Sequence, residues 1–279
     1  MRRHLGRAAT RRWWGALAVV IALVWIFPVY WIVNGALQPA EALRAPTPAF
    51  FPTELSLDAF DRALDDQFLA SLRLSLSVTL ICVVAAVVCA FVAAVALSRF
   101  RFRGRTSFIL VVLTIQMIPP EALFISQYRM LNEWNLYNTV PGLSLLYIAA
   151  VLPFTVWLLR GFADGVPVEL EEAAMVDGCS RVRAFFTVTF PLLAPGLIAS
   201  GVFAFLQAWN EYTLAVVVMD PDNRTLPLWL RGMTTVSNEA IDWPAVMAGS
   251  VLVAVPVIVF FMLVQARMTA GLVSGAVKG

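Results

Sequence analysis

Polar and aromatic side chains occur together inside one long apolar segment of the chain. Gln207, Asn210 and Glu211 are spaced three and four residues apart, which places them on one face if the segment is helical. Trp209 and Tyr212 lie among them. Polar side chains inside apolar spans are candidates for binding, and aromatic rings beside hydrogen-bonding groups suit a sugar. The alternative is that these amides only bond neighbouring helices.

A glutamine in a separate apolar segment is a further candidate. Gln116 is followed by Met117, Pro119 and Pro120. Proline removes a backbone donor and crowds the preceding turn, so these residues are expected to bend the segment rather than to bind anything. The candidates for contact with a solute are therefore Gln116, Gln207, Trp209, Asn210, Glu211 and Tyr212.

A charged stretch, ELEEAAMVDGCSRVRAFFTVTFPL at 169–192, separates two apolar runs. Residues 168–177 are good helix formers with acidic residues near the positive end of the helix dipole. Gly178 is a natural helix stop, and Ser180 can cap a second helix. That second helix is predicted from Arg181 to Thr189, with Pro191 interrupting it. The stretch therefore predicts helix, glycine turn, helix.

The residues needed for catalysis are missing from the sequence. The chain has one lysine, Lys278, and no glycine-rich phosphate loop. Its one histidine, His4, lies in a basic N-terminal arm, and no metalloprotease or nucleophile-elbow motif occurs. Cys82, Cys89 and Cys179 form no metal-binding pattern. We expect a non-enzymatic chain with no metal or cofactor of its own.

The composition is typical of a helical membrane protein. The 279 residues are 60% hydrophobic and only 14% charged, whereas soluble domains carry about a quarter charged residues. Six runs are long and apolar enough to span a bilayer as helices. The predicted spans are Trp14–Leu37, Leu72–Leu97, Phe108–Ile125, Val140–Leu159, Leu193–Met219 and Val246–Leu263.

Basic residues indicate the orientation of these spans. Most of the 20 basic residues lie before the first span, after the second, fourth and sixth spans, and so on one side. The positive-inside rule places that side, both termini and the charged stretch in the cytoplasm. The predicted organisation is an arm at 1–13, a first helix and external segment at 14–71, a core at 72–266 containing a cytoplasmic loop at 161–192, and a tail at 267–279.

The charged stretch also carries a family pattern. It resembles the signature loop of ABC importer permeases. The pattern begins with Glu172-Ala173-Ala174, continues with Gly178 after three residues and Val188 after nine more, and ends with Phe190-Pro191. Val188 and Phe190 replace the family's isoleucine and leucine. The chain is most similar to the sugar-importer branch, such as the smaller permease subunit of maltose-type systems, in the stretches LYNTVPGLSLLYIAAVLPFTVWLLRGF (136–162), PVELEEAAMVDG (167–178), AWNEYTLAVVV (208–218), TLPLWL (225–230) and AGLVSGAVKG (270–279).

The resemblance implies an all-α membrane protein of the type I ABC importer architecture. It implies a bacterial inner-membrane subunit that pairs with a second permease, receives a sugar from an extracytoplasmic solute-binding protein, and docks on two cytoplasmic ATPase subunits that use ATP and Mg²⁺. Glu172 would pair with a basic residue of the ATPase. The implied coupling residues are Glu171, Glu172, Ala173, Ala174, Asp177, Gly178 and Pro191, and the implied tail contacts are Gly275, Ala276, Val277, Lys278 and Gly279.

Other functions are compatible with parts of the pattern. The same architecture could import a glycerol phosphodiester, a polyol or an amino sugar. An ion-coupled secondary transporter would need paired buried carboxylates or broken helices, for which Glu211 alone is thin support. The charged stretch could also be a plain connector. A DNA-binding helix-turn-helix is disfavoured, since the segment is tethered to membrane at both ends and is acidic where phosphates would lie, so no nucleic-acid partner is expected.

Overall fold

A computed structural model describes residues 2–43, 49–52, 54–235 and 241–276, with side chains described between residues 13 and 266 of those ranges. The described residues form helices and connecting turns, which confirms the all-α prediction. They divide into two compact units, one containing the chain up to Phe68 with Leu230–Val255, and the other containing Leu69–Trp229 with the segment from Pro256 onward.

The helices follow one another with short connections. In chain order they are α1 (Arg2–Ala36), α2 (Ala40–Leu43), α3 (Asp58–Ala63), α4 (Asp66–Arg99), α5 (Arg105–Ile115), α6 (Phe124–Glu133), α7 (Val140–Asp164), α8 (Glu169–Val176), α9 (Arg181–Ala184), α10 (Phe190–Trp209), α11 (Thr213–Val218), α12 (Leu226–Gly232) and α13 (Trp243–Ala276). A 3₁₀ turn at Pro120–Leu123 precedes α6, and a π-helical segment at Phe185–Thr189 joins α9 to α10.

The first unit is built around the end of α1. The apolar stretch Trp13–Ala36 is long enough to cross a membrane, and its side chains are largely exposed, as a lipid-facing helix requires. The chain after α2 returns to this helix, where Asn34 donates to the Ala49 carbonyl at 3.1 Å. Gly35 lies against Met247 so closely that a Cβ there would meet the Met247 sulfur.

The second unit packs around one face of α4. Buried residues on this helix recur every four positions, at Val78, Cys82, Ala86, Ala90 and Ala94. Their small side chains let other helices approach closely, which is how membrane helices gain packing energy. The partners in the same clusters come from α6, α7, α10 and α11, and they include Leu131, Leu143, Leu146, Tyr147, Val151, Val156, Leu159, Ala204, Ala208, Leu214, Ala215 and Val218.

Four of the predicted spans agree well with single helices. The spans beginning at Trp14, Leu72, Val140 and Val246 lie on α1, α4, α7 and α13. Among the described residues, five helices are long and apolar enough to cross a membrane, and a sixth crossing exists if one bent pair is counted as one span. Two of the predicted spans need correction.

The third span is broken instead of continuous from Phe108 to Ile125. Helix α5 ends at Ile115. The helical segment after the break, Pro120–Glu133, is bent by 93° from α5. Pro119 and Pro120 lie at this break. They end the helix because neither can donate a backbone hydrogen bond. The sequence predicted a bend at this position. The structure shows a complete break between two helical segments instead of one bent helix.

The fifth span begins and ends earlier than predicted. One helical path runs from Arg181 to Trp209, through the π segment and α10, so the prediction that Pro191 interrupts it is wrong. The wide π turn explains this, because the Phe190 N–H donates to the Phe185 carbonyl five residues back. This local widening makes room for the ring of Pro191, which would clash with the preceding turn of a regular helix.

Candidate functional site

The charged stretch folds as a short helix, a glycine turn and the start of the long helical path from Arg181, so the predicted order of helix, turn and helix is confirmed. Gly178 has a φ of +91°, which favours glycine over other residues. The N–H of Cys179 donates to the Ala174 carbonyl at 3.0 Å and that of Gly178 to Met175 at 3.1 Å, closing α8 in a Schellman-type cap. Ser180 caps α9 by accepting from the Arg183 N–H at 3.3 Å. Local chemistry thus defines the shape of this segment.

The outer face of α8 is exposed in the part of the chain that the structure describes. Glu172, Ala173 and Asp177 are exposed, and Ala174 is half-buried. Val176 is 87% exposed, a large apolar side chain presented to solvent in a charged segment. Gly178 and Pro191 are exposed as well. We call the surface formed by Glu172, Ala173, Ala174, Val176, Asp177 and Gly178 the docking face.

Glu171 points the opposite way from its neighbour Glu172. It is buried, and its Oε1 accepts from Arg99 Nε at 2.9 Å and from Thr189 Oγ1 at 2.5 Å. Arg99 Nη1 also donates to the Ala163 carbonyl at 3.4 Å. Glu171 was predicted to act at the ATPase contact, and the structure places its carboxylate inside the chain instead. The pair ties α8 to the C-terminal ends of α4 and α7 and to the π segment.

A cavity of about 300 Å³ lies beside this ion pair. Arg99, Glu171 and Arg181 contribute its charged side chains. The remaining walls are apolar and are formed by Val95, Phe100, Val168, Val182, Phe185 and Phe186. Since a cavity leaves apolar walls without contacts, α8 is less tightly packed on this side than a helix in a closed core.

The polar residues of the fifth span do not share one helical face. Helix α10 ends at Trp209, so the prediction for Gln207, Asn210 and Glu211 is wrong in its geometry. Glu211 lies just before α11, where its carboxylate accepts from the backbone N–H groups of Leu214 at 2.8 Å and Ala215 at 3.3 Å. It therefore caps a helix start, where a carboxylate is favoured by the free N–H groups and the helix dipole.

The other solute-contact candidates differ in exposure. Gln116, Gln207, Asn210 and Tyr212 are exposed, with Gln116 placed at the break after α5. Asn210 Nδ2 donates to the Leu206 carbonyl at 2.8 Å. Trp209 is buried and stacks on Phe205, with ring centroids 5.6 Å apart. Its Nε1–H has no hydrogen-bond partner among the described residues.

Comparison with known proteins decides the family. Residues 76–272 match the family described as binding-protein-dependent transport system inner membrane component. The chain belongs to this family. Its members are transport permease subunits, so the chain is a multi-pass permease of an inner membrane, as the resemblance implied.

Relatives and solved structures agree with this assignment. The permease is 41% identical to the diacetylchitobiose uptake system permease protein DasC of Streptomyces coelicolor, over 96% of this chain and 98% of DasC. It is 32% identical to the trehalose transport system permease protein SugB of Mycobacterium tuberculosis, over 96% and 97% of the two chains. A bacterial ABC transporter that imports the polysaccharide alginate shares the fold, with a TM-score of 0.77, 23% identity and coverage of 90% of this chain and 94% of that one.

The expected tail contacts lie at the end of the permease. Helix α13 continues through Gly275 and ends at Ala276. Val277, Lys278 and Gly279 lie outside the described residues.

No group of three or more His, Cys, Asp or Glu residues within the described ranges is placed to hold a metal ion.

Sequence reasoning missed the inner partners of the coupling segment. The sequence places Arg99 among the basic residues that follow the second span and Thr189 at the end of a predicted helix, and neither position indicates a contact with Glu171. Arg99 lies 72 residues from Glu171, and no spacing rule connects residues so far apart. The signal available in the sequence was a pair of adjacent glutamates on a short helix. Adjacent side chains on a helix point in different directions, so the two carboxylates have different surroundings.

Proposed function

We propose that this permease is one of two membrane-spanning subunits of an ATP-driven importer that brings a sugar, a mono- or oligosaccharide, into the bacterial cytoplasm. In this proposal a solute-binding protein delivers the sugar outside, and two separate ATPase subunits, which use ATP and Mg²⁺, dock inside. Both termini and the charged stretch lie in the cytoplasm. The observation that carries the proposal is an exposed docking face on a chain of the binding-protein-dependent family.

Relatives support a carbohydrate as the cargo. DasC is named for uptake of diacetylchitobiose, SugB for transport of trehalose, and a relative from Thermococcus litoralis, 32% identical, for trehalose and maltose. Because the similarity to DasC extends over nearly the whole chain, an N-acetylated amino-sugar disaccharide is the first cargo to test, and a neutral glucose disaccharide is the second.

The docking face supplies the proposed contact with the ATPase. Glu172 offers an exposed carboxylate to a basic residue of the partner, while Ala173, Ala174 and Gly178 leave room for close backbone approach. Val176 adds an apolar contact at the same surface. Interfaces commonly combine a desolvated apolar anchor with a few charged pairs at its edge.

The proposed solute path is formed by the exposed polar residues. Glu211 and Trp209 are weaker candidates for contact with the solute. Gln116, Gln207, Asn210 and Tyr212 present side chains that are available for hydrogen bonds or ring contacts. The Glu211 carboxylate is already used by two backbone N–H groups. Trp209 is buried among aromatic rings, which favours a packing role.

Reconstitution tests the function directly. The permease is purified with its companion permease, ATPase and binding protein, placed in liposomes, and supplied with labelled diacetylchitobiose, trehalose or maltose. We expect uptake that requires internal ATP and the binding protein. Uptake that follows an ion gradient without ATP would support a secondary transporter, and uptake of a glycerol phosphodiester but no sugar would change the cargo class.

Docking is tested by reversing one charge. Glu172→Lys is expected to release the ATPase from the purified membrane complex, since a repulsive charge would face the basic partner. Glu133→Lys makes the same change at an exposed position at the end of α6, on the side predicted to be external. It should leave the complex intact. Retention of the ATPase by the Glu172 variant would contradict the assigned docking face.

A further inference from the structure

The two adjacent glutamates of α8 have different surroundings. Glu172 is exposed on the docking face, whereas the side chains of Arg99 and Glu171 are only 10% and 11% exposed. A hydrogen-bonded ion pair removed from water is held more rigidly than an exposed one, because solvent neither competes for its partners nor screens its charges. The pair is thus suited to hold α8 in a fixed position.

The buried pair connects several chain segments at one point. Arg99 is the last residue of α4, and its guanidinium bonds both Glu171 on α8 and the Ala163 carbonyl near the end of α7. Thr189 brings the π segment to the same carboxylate oxygen. A displacement of α8 would therefore act on the ends of two long membrane helices and on the entrance to a third.

Packing beside the pair is incomplete. The cavity of about 300 Å³ borders Arg99 and Glu171. Apolar contact between α8 and α4 across that volume is therefore weaker than in a closed core. The hydrogen bonds of the Arg99–Glu171 pair bridge the two helices at its edge.

We propose that Glu171 is a positioning residue that transmits movement of the docking face to α4 and α7 through Arg99. This inference rests on the proposed importer function. In this arrangement Glu172 holds the ATPase, and Glu171 carries its motion into the membrane helices. The two roles are separable, so that loss of Glu171 leaves the ATPase bound and hydrolysing ATP while less solute moves for each ATP consumed.

Methionine variants separate these roles. Glu171→Met removes the ion pair with little change in side-chain length, Arg99→Met removes it and shortens the side chain by about two atoms, and the double variant removes both charges. All three are compared with wild type in the reconstituted complex. The measurements are the amount of ATPase retained, the rate of ATP hydrolysis and the sugar taken up per ATP. A wild-type complex without ATP-driven uptake would refute the proposed function itself before any variant is compared.

The expected result is a loss of coupling in all three variants. Retained ATPase should match wild type, while uptake per ATP falls by about tenfold, within the range typical of coupling between two sites. Because both single changes break the same link, the double variant should be no worse than either one. Thr189→Val removes only the third partner and should have a smaller effect in the same direction.

A merely structural role gives a different pattern. Each single change leaves a buried charge without its partner, which destabilises a fold strongly. The double variant has no such charge, so recovery of uptake in it would overturn the proposal. Release of the ATPase by Glu171→Met would overturn it too, by making Glu171 part of the docking contact. Unchanged uptake per ATP in the single variants would have the same consequence.

A nearby carboxylate that is more exposed than Glu171 and is paired with two arginines is the control. Asp164 lies at the end of α7, 3.3 Å from Arg160 and 3.7 Å from Arg105, and its side chain is 40% exposed. Exposed pairs contribute little, so Asp164→Asn should leave uptake per ATP unchanged. An equal loss in this control would show that any charge change at this surface uncouples the transporter, and would overturn the specific role of Glu171.

Discussion

The ring of Phe162 on α7 lies directly against Gly196 on α10. A Cβ added at Gly196 would come within 2.6 Å of Phe162 Cγ and 2.7 Å of its Cβ. The absence of a side chain at Gly196 is what lets these two helices approach. At Gly201, on the same helix, no described atom outside that helix's own backbone lies within 4 Å of the equivalent position.

Gly196→Ala should therefore destabilise the permease. The added methyl group forces the two helices apart, and overpacking of this kind costs about 1–3 kcal/mol. Gly201→Ala adds the same methyl group without a clash and should be neutral or slightly stabilising. The thermal unfolding midpoints of both variants in detergent test this, and equal midpoints would contradict the close approach.

Gly178→Ala should strain the turn between α8 and α9. The φ of +91° is unfavourable for residues with a Cβ, at about 1–2 kcal/mol, although the surrounding space is open. The expected result is faster amide exchange at the end of α8 and weaker retention of the ATPase. Gly161→Ala is the control and should change neither, because within the described ranges no atom beyond the backbone of α7 lies within 4 Å of the added Cβ.

Ser75→Ala should loosen the start of α12. The Ser75 hydroxyl accepts from the buried Leu226 N–H at 2.7 Å, across 151 residues of sequence. Loss of this acceptor leaves a buried donor without a partner, at a cost of about 1–3 kcal/mol. Amide exchange at residues 226–232 should quicken. Ser77→Ala, an exposed position two residues later, should leave exchange in that segment as in wild type.

Glu211→Ala should weaken α11. The carboxylate bonds two backbone N–H groups at the start of that helix, and bonds to a charged acceptor contribute about 1.5–3 kcal/mol. Faster amide exchange at Leu214 and Ala215 is expected. Asp222→Asn removes a charge from a nearby exposed turn and serves as the control. Unaltered amide exchange in the Glu211 variant would contradict the capping role and favour a role of Glu211 in contact with the solute.

Alkaline pH should break the link between Tyr137 and Asp220. The hydroxyl of Tyr137 donates to Asp220 Oδ1 at 2.9 Å, and this hydrogen bond, with smaller contributions from burial and from the negative charge, raises the pKa of Tyr137. A raised pKa means that the folded state favours the neutral hydroxyl. The link should stabilise the fold at every pH below the ordinary tyrosine pKa of about 10 and be lost as pH rises through the higher folded value.

Titration of tyrosinate absorbance measures this shift. One tyrosine should ionise at a higher pH in wild type than in the Asp220→Asn variant, which removes the negative charge. Tyr137→Phe should remove this high-pH step from the titration. A wild-type curve that superimposes on that of the Asp220 variant would show that the hydrogen bond does not persist in solution.

The membrane helices and the charged turn could be predicted from sequence because their causes are local. Apolar runs longer than a bilayer is thick define α1, α4, α7 and α13. Gly178 and Ser180 define the turn after α8 through backbone freedom and side-chain capping. Hydropathy alone could not reveal where α5 and α10 end, because apolar residues resume within a few positions after each break.

Tertiary structure decided which side chains face inward. Glu171 and Glu172 are identical in type and adjacent in sequence, yet one is buried against Arg99 and the other is exposed. Glu211 has a helical spacing from Gln207, yet it caps a separate helix. A contact between residues 72 positions apart depends on how the whole chain packs. Family membership follows from local patterns, whereas the link between the docking face and the membrane helices exists only once those helices have come together.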